Sequence, residues 1–274
     1  IDFGRYSCKL IINNTGTHNR NWMDDYQLAW IEKFKIKTYK KIEDFKTERF
    51  WLQFLKEKVP IKKAVATYEN QIQFETSTGM PILDIPLSQE EWKRYLRQSC
   101  ETARHLYFTV NNTDLRQELR DLGISYSLDS DYINEKFQRY LFNIENSRLK
   151  EKVKTLQPLV TECLLGSKLG VIHNDLSPRN LLVEDERVII IDHENYREGH
   201  PIQQVISLVT YPIIEEELAK ETLTYWAQEL NAEFDLVRAS TLFWCIREAG
   251  AIQNKPQLKS FYDYFNNKIE GIVG

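Results

Sequence analysis

The sequence predicts an α+β protein of two lobes, a small β-rich lobe followed by a larger, mostly helical one. Three observations carry this expectation. The first third alternates like strands and is rich in β-branched and aromatic residues. From Ser88 onward the apolar residues recur with the period of amphipathic helices. The chain has 274 residues, 42% hydrophobic and 12% aromatic, enough for two lobes with a sizeable core and unlike a disordered composition. The change of period lies near residues 78–88, so residues 1–83 are expected to form the first lobe and residues 84–274 the second.

Taken in order, "YSCKLIIN" and "YQLAWIEKFKI" read as strands, the latter spanning residues 26–36. The polar stretch "NTGTHNRNWMDD" between them suits a hairpin loop. In "KIEDFKTERFWLQFLKE", Ile42, Phe45, Leu52 and Leu55 mark one apolar helical face. Two short strands, "KKAVATYE" and "IQFETS", lead to the turn "TGMP". Ser88 is an N-cap with Glu91 three residues on, a capping box for the helix that follows. Residues 111–147 are polar and suit one or two short helices, and "SRLKEKVKTLQPLVTECLLG" is a long helix ending at Gly166. "VIHNDLSPRNLLVEDERVIIIDHEN" reads as strand, loop, strand, turn, strand. The remainder, from about Pro201, is helical, with amphipathic runs at "EEELAKETLTYWAQEL" and "FDLVRASTLFWCIREAG".

A formal net charge of −4 argues against a nucleic-acid partner. The lysines at 35, 37, 40, 41 and 46 are expected to form a solvated face rather than a basic patch. Four cysteines, Cys8, Cys100, Cys163 and Cys245, lie far apart without metal-ligand spacing and read as reduced thiols. The sequons at Asn13 and Asn111 are short patterns of the kind that arise by chance. No apolar run approaches the roughly 18 residues of a membrane span, and no signal peptide opens the chain, so a cytoplasmic location is expected. The first residue is Ile1, and Asp2-Phe3-Gly4 reads as the end of a first strand. The chain is therefore expected to belong to a longer polypeptide.

The chemistry concentrates in "VIHNDLSPRNLLVEDERVIIIDHE". A phosphate-transferring site needs a carboxylate that orients an attacking hydroxyl and takes its proton, and Asp175 suits that task. It also needs hard oxygen ligands for magnesium, and Asn180 and Asp192 supply a carbonyl and a carboxylate. The apolar flanks "NLLV" and "VIII" read as a buried hairpin that would hold these groups rigidly.

These residues resemble the catalytic loop and metal motif of the protein-kinase-like superfamily, in the version of aminoglycoside phosphotransferases and choline kinases. The loop there reads His-x-Asp followed by Asn, and the metal motif is Ile-Asp-aromatic-Glu, standing here as Ile191-Asp192-His193-Glu194. The resemblance implies a bilobal kinase fold with a nucleotide-binding first lobe and a catalytic, acceptor-binding second lobe. It implies ATP and Mg2+ as cofactors and a small-molecule hydroxyl as acceptor: an aminoglycoside, a sugar or a choline-like amine. Asp175 would be the base, Asn180 and Asp192 the metal ligands, and His173 a brace of the loop. Arg179 would reach the transferring phosphate or else form a structural ion pair. A pseudokinase scaffold and a protein kinase are the rival readings.

Such a fold needs a strand lysine paired to a helix glutamate. Alternation puts Ala29, Ile31 and Lys33 on one face, so Lys33 is preferred to Lys35 as that lysine, with Ile31 beside the adenine. Glu48 falls on the apolar stripe of its helix, where an unpaired carboxylate is costly, and Lys33 is its expected partner. Glu75, Thr76 and Ser77 resemble the hinge that reads the adenine edge. Counting strands backward from Lys33 makes "FGRYS" the nucleotide-covering loop, with Gly4 and Ser7 letting amides approach phosphate.

The sequence also departs from the pattern. No Ala-Pro-Glu segment follows Asp192, which argues against a regulated protein kinase, and "HPIQQVISLVTYPI" lacks the Asp common in small-molecule kinases. Glu194, Glu198 and Glu215 to Glu217 would suit a cationic acceptor, and Tyr211, Trp226 and Trp244 could cage a quaternary amine. The same residues read equally as core aromatics and a solvated helix face, which is the preferred reading.

Overall fold

The structure is a computed structural model that describes residues 26–31, 34–75, 79–111, 115–124, 126–142, 144 and 146–274. The side chains of residues 26–31, 34, 35 and 116 are outside that description. Gly4, Ser7, Cys8, Lys33, Thr76 and Ser77 lie outside the described residues.

The stretch expected to be one strand over 26–36 is two: β1 (Tyr26–Ile31) and β2 (Phe34–Tyr39), antiparallel with Ile31 opposite Phe34. Strand-forming residues fill both, so the sequence alone reads as one strand. After α1 (Ile42–Leu55), β3 (Ala64–Tyr68) and β4 (Gln71–Glu75) complete an antiparallel sheet ordered β1-β2-β4-β3. Tyr39, Ile72 and Phe74 of the sheet meet Phe45 and Leu52 of α1 in one apolar cluster. The spacing that predicted an inward stripe on α1 is therefore the spacing that buries it, except at Ile42, which is exposed.

The pair β5 (Met80–Pro81) precedes α2 (Gln89–Asn111). The expected capping box forms: the Ser88 N–H donates to Glu91 Oε2 at 2.8 Å, and the Glu91 N–H returns to Ser88 Oγ at 3.3 Å. Two shorter helices follow, α3 (Leu115–Asp121) and α4 (Ser130–Phe142), then α5 (Ser147–Gly166). The α5 N-terminus is capped by Asn146, whose Oδ1 accepts from the Leu149 N–H at 3.1 Å.

β6 (Gly170–His173) is followed by the hairpin of β7 (Leu181–Glu184) and β8 (Arg187–Ile190). Its turn residues, Asp185 and Glu186, have φ of +48° and +62°, the left-handed pair that a two-residue hairpin requires. β7 also pairs with β5, and the Ile190 N–H bonds the Pro60 carbonyl at 3.1 Å. One strand was not expected: β9 (Tyr196–Gly199) lies antiparallel to β6, in a stretch whose polar residues mask its alternation. The chain ends in α6 (Ile202–Val209), α7 (Glu216–Glu229), α8 (Phe234–Ile252) and α9 (Lys259–Val273). α8 packs against α4, α5, α6 and α9 and is buried on nearly every side. At Gly250 a Cβ would stand 3.2 Å from the Tyr140 N, so the missing side chain sets how closely α8 approaches α4.

The described chain divides into two compact units that are not contiguous in sequence. The first comprises the described residues through Glu91 together with Arg116–Ile124 and Pro178–Asn195, and the second takes the rest. A single cut near residue 83 therefore misplaces the β7–β8 hairpin, which pairing to β5 and Pro60 attaches to the first unit. Cys100, Cys163 and Cys245 are free thiols, as expected. No helix among the described residues is long and apolar enough to cross a membrane.

His200, buried before α6, accepts the Ile202 N–H on Nδ1 at 3.2 Å, and burial pushes its pKa down to about 4. In the unfolded chain it titrates near the ordinary histidine value of about 6.5. Between these values the unfolded state binds the extra proton. The stabilisation is thus complete above the unfolded pKa and is lost as pH falls through the folded one. Unfolding free energies from urea titrations should fall, from pH 7 to pH 4, by an amount on the order of 2 kcal/mol more in wild type than in His200→Asn. Equal falls would show that His200 is not the group responsible.

Candidate active site

Among the described side chains, Lys37 is the lysine that the first unit buries. Its Nζ lies 2.6 Å from Glu48 Oε2, 2.5 Å from Asp192 Oδ1 and 3.1 Å from Glu194 Oε2. This corrects the assignment of Lys33 as the partner of Glu48. Lys33 lies outside the described residues, and Lys37 lies on β2, four residues further along the sequence. It also corrects the reading of Lys37 as part of a solvated face, since the residue is 4% exposed. Lys40, Lys41 and Lys46 do face solvent. Gly4 and Ser7, set in the covering loop by counting strands back from Lys33, lie outside the described residues.

Glu48 sits on the inward stripe of α1, 1% exposed. Besides Lys37, it accepts the Tyr39 hydroxyl and, on Oε1, the His193 N–H at 3.3 Å. Three donors make a buried carboxylate tolerable. Tyr39 was missed by the sequence reading, although its place two residues after Lys37 puts it on the same strand face. Burial and the adjacent Glu48 charge push its phenol well above the ordinary range.

Asp192 follows β8 with φ of +67°, a conformation costly for a residue with a Cβ. Its neighbours hold it there. The Ile191 N–H donates to the Asn180 carbonyl at 3.0 Å, and the buried His193 bonds the Ile190 carbonyl through Nε2 at 3.1 Å. Glu48, Asp192 and Glu194 each offer an oxygen, all within 4.8 Å of one another. Burial alone would push Lys37 down, but Asp192, Glu48 and Glu194 together hold its pKa well above the usual lysine value. Three carboxylates share one ammonium, and the excess charge is relieved at Glu194. Burial first and Asp192 second push its pKa up to about 8, against the pull of Lys37. A cluster of hard oxygens with surplus negative charge fits a magnesium ion. Glu48 is taken up by its own donors, so Asp192 and Glu194, with Asn180, are the residues that could hold it. From the sequence Glu194 was grouped with the acidic residues that would suit a cationic acceptor or else a solvated face; its place in the Ile-Asp-His-Glu motif was the available signal.

The second unit holds the loop that carries Asp175. His173 is fully buried, and its Nδ1 accepts the Asp175 N–H at 3.3 Å, a brace across the loop. The His173 N–H donates to Gln204 Oε1 at 3.0 Å, and Gln204 Nε2 donates to the Ala103 carbonyl at 3.3 Å. Ser207 Oγ bonds the Leu176 carbonyl. In the stretch where the family's Asp is missing, two neutral side chains of α6 thus hold the loop backbone. A search for a carboxylate passes over them. Upstream, Asn111 brackets Val171 in β6: its Oδ1 accepts the Val171 N–H at 2.9 Å and its Nδ2 donates to the Val171 carbonyl at 3.0 Å. Asp175 itself lies 3.5 Å from Arg247 Nη2.

Of the remaining expected residues, Arg179 is half-buried in the turn before Asn180, Ile31 ends β1, and Glu75 ends β4 with its side chain exposed. Tyr211, Trp226 and Trp244 are buried, and the ring of Trp244 is covered by the Arg247 guanidinium at 3.9 Å. They form no open cage. Glu215, Glu216 and Glu217 are exposed at the start of α7, the solvated face preferred from the sequence.

Replacing Gln204 by Leu should leave the His173 N–H buried without its side-chain partner, while the Ala103 carbonyl keeps its place in the α2 ladder. Thermal or urea unfolding should show a loss of roughly 1–3 kcal/mol, the cost of one unsatisfied buried group. An unchanged midpoint would show that this amide does not hold the loop.

A model of the phosphotransferase enzyme family matches residues 11–240 of the chain. No curated protein sequence matches it significantly. Among solved structures, choline kinase LicA from Streptococcus pneumoniae superposes with a TM-score of 0.66 at 12% identity, covering 93% of this chain and 91% of that one. The gentamicin complex of APH(2")-IIa gives 0.62 at 14% identity, covering 90% and 88%. Amicoumacin kinase hAmiN in complex with AMP-PNP, Ca2+ and Ami gives 0.62 at 12% identity, covering 91% and 89%. At these identities the likenesses establish the kinase-like fold.

Proposed function

This chain belongs to the phosphotransferase enzyme family, and we propose that it transfers the γ-phosphoryl group of ATP to a hydroxyl of a small molecule. The observation that carries this reading is the Lys37 ammonium bound at once to Glu48 and Asp192, in a chain that also keeps Asp175 and Asn180. A lysine held by Glu48 would be suited to contact nucleotide phosphates if Asp192 and Glu194 were engaged by a metal ion. Asn180, Asp192 and Glu194 would hold magnesium, which supplies charge neutralisation at the phosphates. Glu75, Thr76 and Ser77 are proposed to read the adenine edge, with Ile31 against the base.

Asp175 accepts the proton of the acceptor hydroxyl as its oxygen bonds to the γ-phosphorus. The bond from that phosphorus to the bridging oxygen breaks, and ADP leaves with the electron pair. Arg179 meets the transferring phosphoryl oxygens with a planar fork that matches their geometry. Positioning and charge supply the catalysis, with no covalent intermediate on the chain. Aminoglycosides, sugars and choline-like amines are the acceptors to try. The burial of Tyr211 and Trp226, and the covered face of Trp244, weigh against a quaternary-amine cage built from those three rings.

A panel assay tests the proposal: ATP and magnesium with aminoglycosides, choline-like amines, sugars and a protein extract, followed by phosphate transfer. Asp175→Ala should abolish transfer while sparing nucleotide binding, and full activity in that variant would remove Asp175 from its role. Lys37→Ala should lower kcat/KM for ATP by roughly a hundredfold or more, the scale of a lost charge-stabilising contact. Lys33→Ala should stay near wild type. The opposite ranking would return the nucleotide lysine to Lys33.

A further inference from the structure

Arg247 lies on α8 with its side chain 11% exposed, an uncommon depth for a guanidinium. Its Nε and Nη2 donate to Glu248 Oε1 at 3.3 and 3.2 Å, which would be enough to neutralise it. The other arm does something else. Nη1 donates to the Asn174 carbonyl at 2.5 Å, and Nη2 also lies 3.5 Å from Asp175 Oδ1. The guanidinium plane rests 3.9 Å over the ring of Trp244, which fixes the fork's orientation. One side chain thus binds the backbone on one side of the proposed base and approaches the base's own carboxylate.

The geometry points to Arg247 as the positioning residue for Asp175, an inference that rests on the phosphotransfer reading above. Arg247 pins the Asn174 carbonyl, which fixes where the base's backbone begins, and draws Oδ1 towards α8. The second carboxylate oxygen then takes the acceptor's proton. Glu248, 6% exposed, balances the charge so that the fork does not need the base for its own neutralisation. Lysine could not substitute, because one ammonium cannot hold the Asn174 carbonyl, Asp175 and Glu248 in the directions the planar fork serves.

Arg247 also lines a cavity of about 20 Å3 with Asn174, Ser240, Phe243 and Trp244. The buried Ser240 Oγ and Trp244 Nε1 in that lining have no hydrogen-bond partner among the described residues. Truncating Arg247 would enlarge this polar space by the volume of its side chain, next to the ring that formerly carried the guanidinium. A free guanidinium ion could re-enter there.

The test compares wild type, Arg247→Lys and Arg247→Ala. ADP formation from magnesium-ATP is followed with each acceptor of the panel and with water alone, alongside nucleotide binding and thermal midpoints. Arg247→Lys keeps a cation beside Glu248 and should fold. Its kcat should fall roughly ten- to a hundredfold, the cost of a slightly misplaced catalytic group, with little change in KM for ATP. Arg247→Ala should fall further and recover part of its rate on adding low-millimolar guanidinium chloride, an addition that should not revive Asp175→Ala. Wild-type kcat in both Arg247 variants would overturn the inference and leave phosphotransfer standing. So would losses that track only the folded fraction with no rescue. A wild-type protein that forms no ADP with any acceptor or with water would overturn the phosphotransfer reading and this inference with it.

Discussion

The buried ammonium of Lys37 is the constraint from which the first unit is organised. A lysine head group cannot stay charged in an apolar core unless carboxylates come to it. Glu48 arrives from α1, and Asp192 and Glu194 arrive from the end of β8, so one ion joins three elements distant in sequence. Each carboxylate then makes its own demand. Glu48 recruits Tyr39 and the His193 N–H. Asp192 accepts a left-handed backbone, and Glu194 rises towards its protonated form. The cost of three negative groups around one positive group is a reason for such a cluster to take up a divalent cation in place of a proton.

The loop bearing Asp175 is supported by different means. Neutral amides and hydroxyls satisfy its backbone: Gln204, Ser207 and, through β6, Asn111. Arg247 brings charge. Neutral braces hold a backbone without altering the field at the carboxylate they present. Gln204 and Ser207 thus stiffen the loop without adding charge of their own beside Asp175.

Much of this was legible in the residue pattern, and the failures have physical causes. The capping box at Ser88, the end of α5 at Gly166 and the β7–β8 hairpin are local signals, each written within a few residues, and they were read correctly. The inward placement of Glu48 followed from helical spacing. The lysine did not, because strand-forming residues fill both β1 and β2, so the pair read as one strand ending before Lys37. Strand β9 was hidden for the opposite reason: its partner β6 supplies the pairing, and its own residues are too polar to announce it. Tyr39, Gln204 and Arg247 escaped because their roles depend on partners distant in sequence, to which no short motif points.

Asn111 shows how a side chain can stand in for a neighbouring strand. Its amide offers Val171 one donor and one acceptor, the same pair that a strand backbone would present. The residue also opens the triplet Asn111-Asn112-Thr113, an acceptor pattern for N-linked sugar. Both uses require the same side-chain nitrogen, and a glycosylated amide could not keep its place against β6. Sugar found at this position would therefore mark molecules modified before β6 had folded. Carbohydrate there would be a record of the order of events during synthesis and would carry no information about the finished surface.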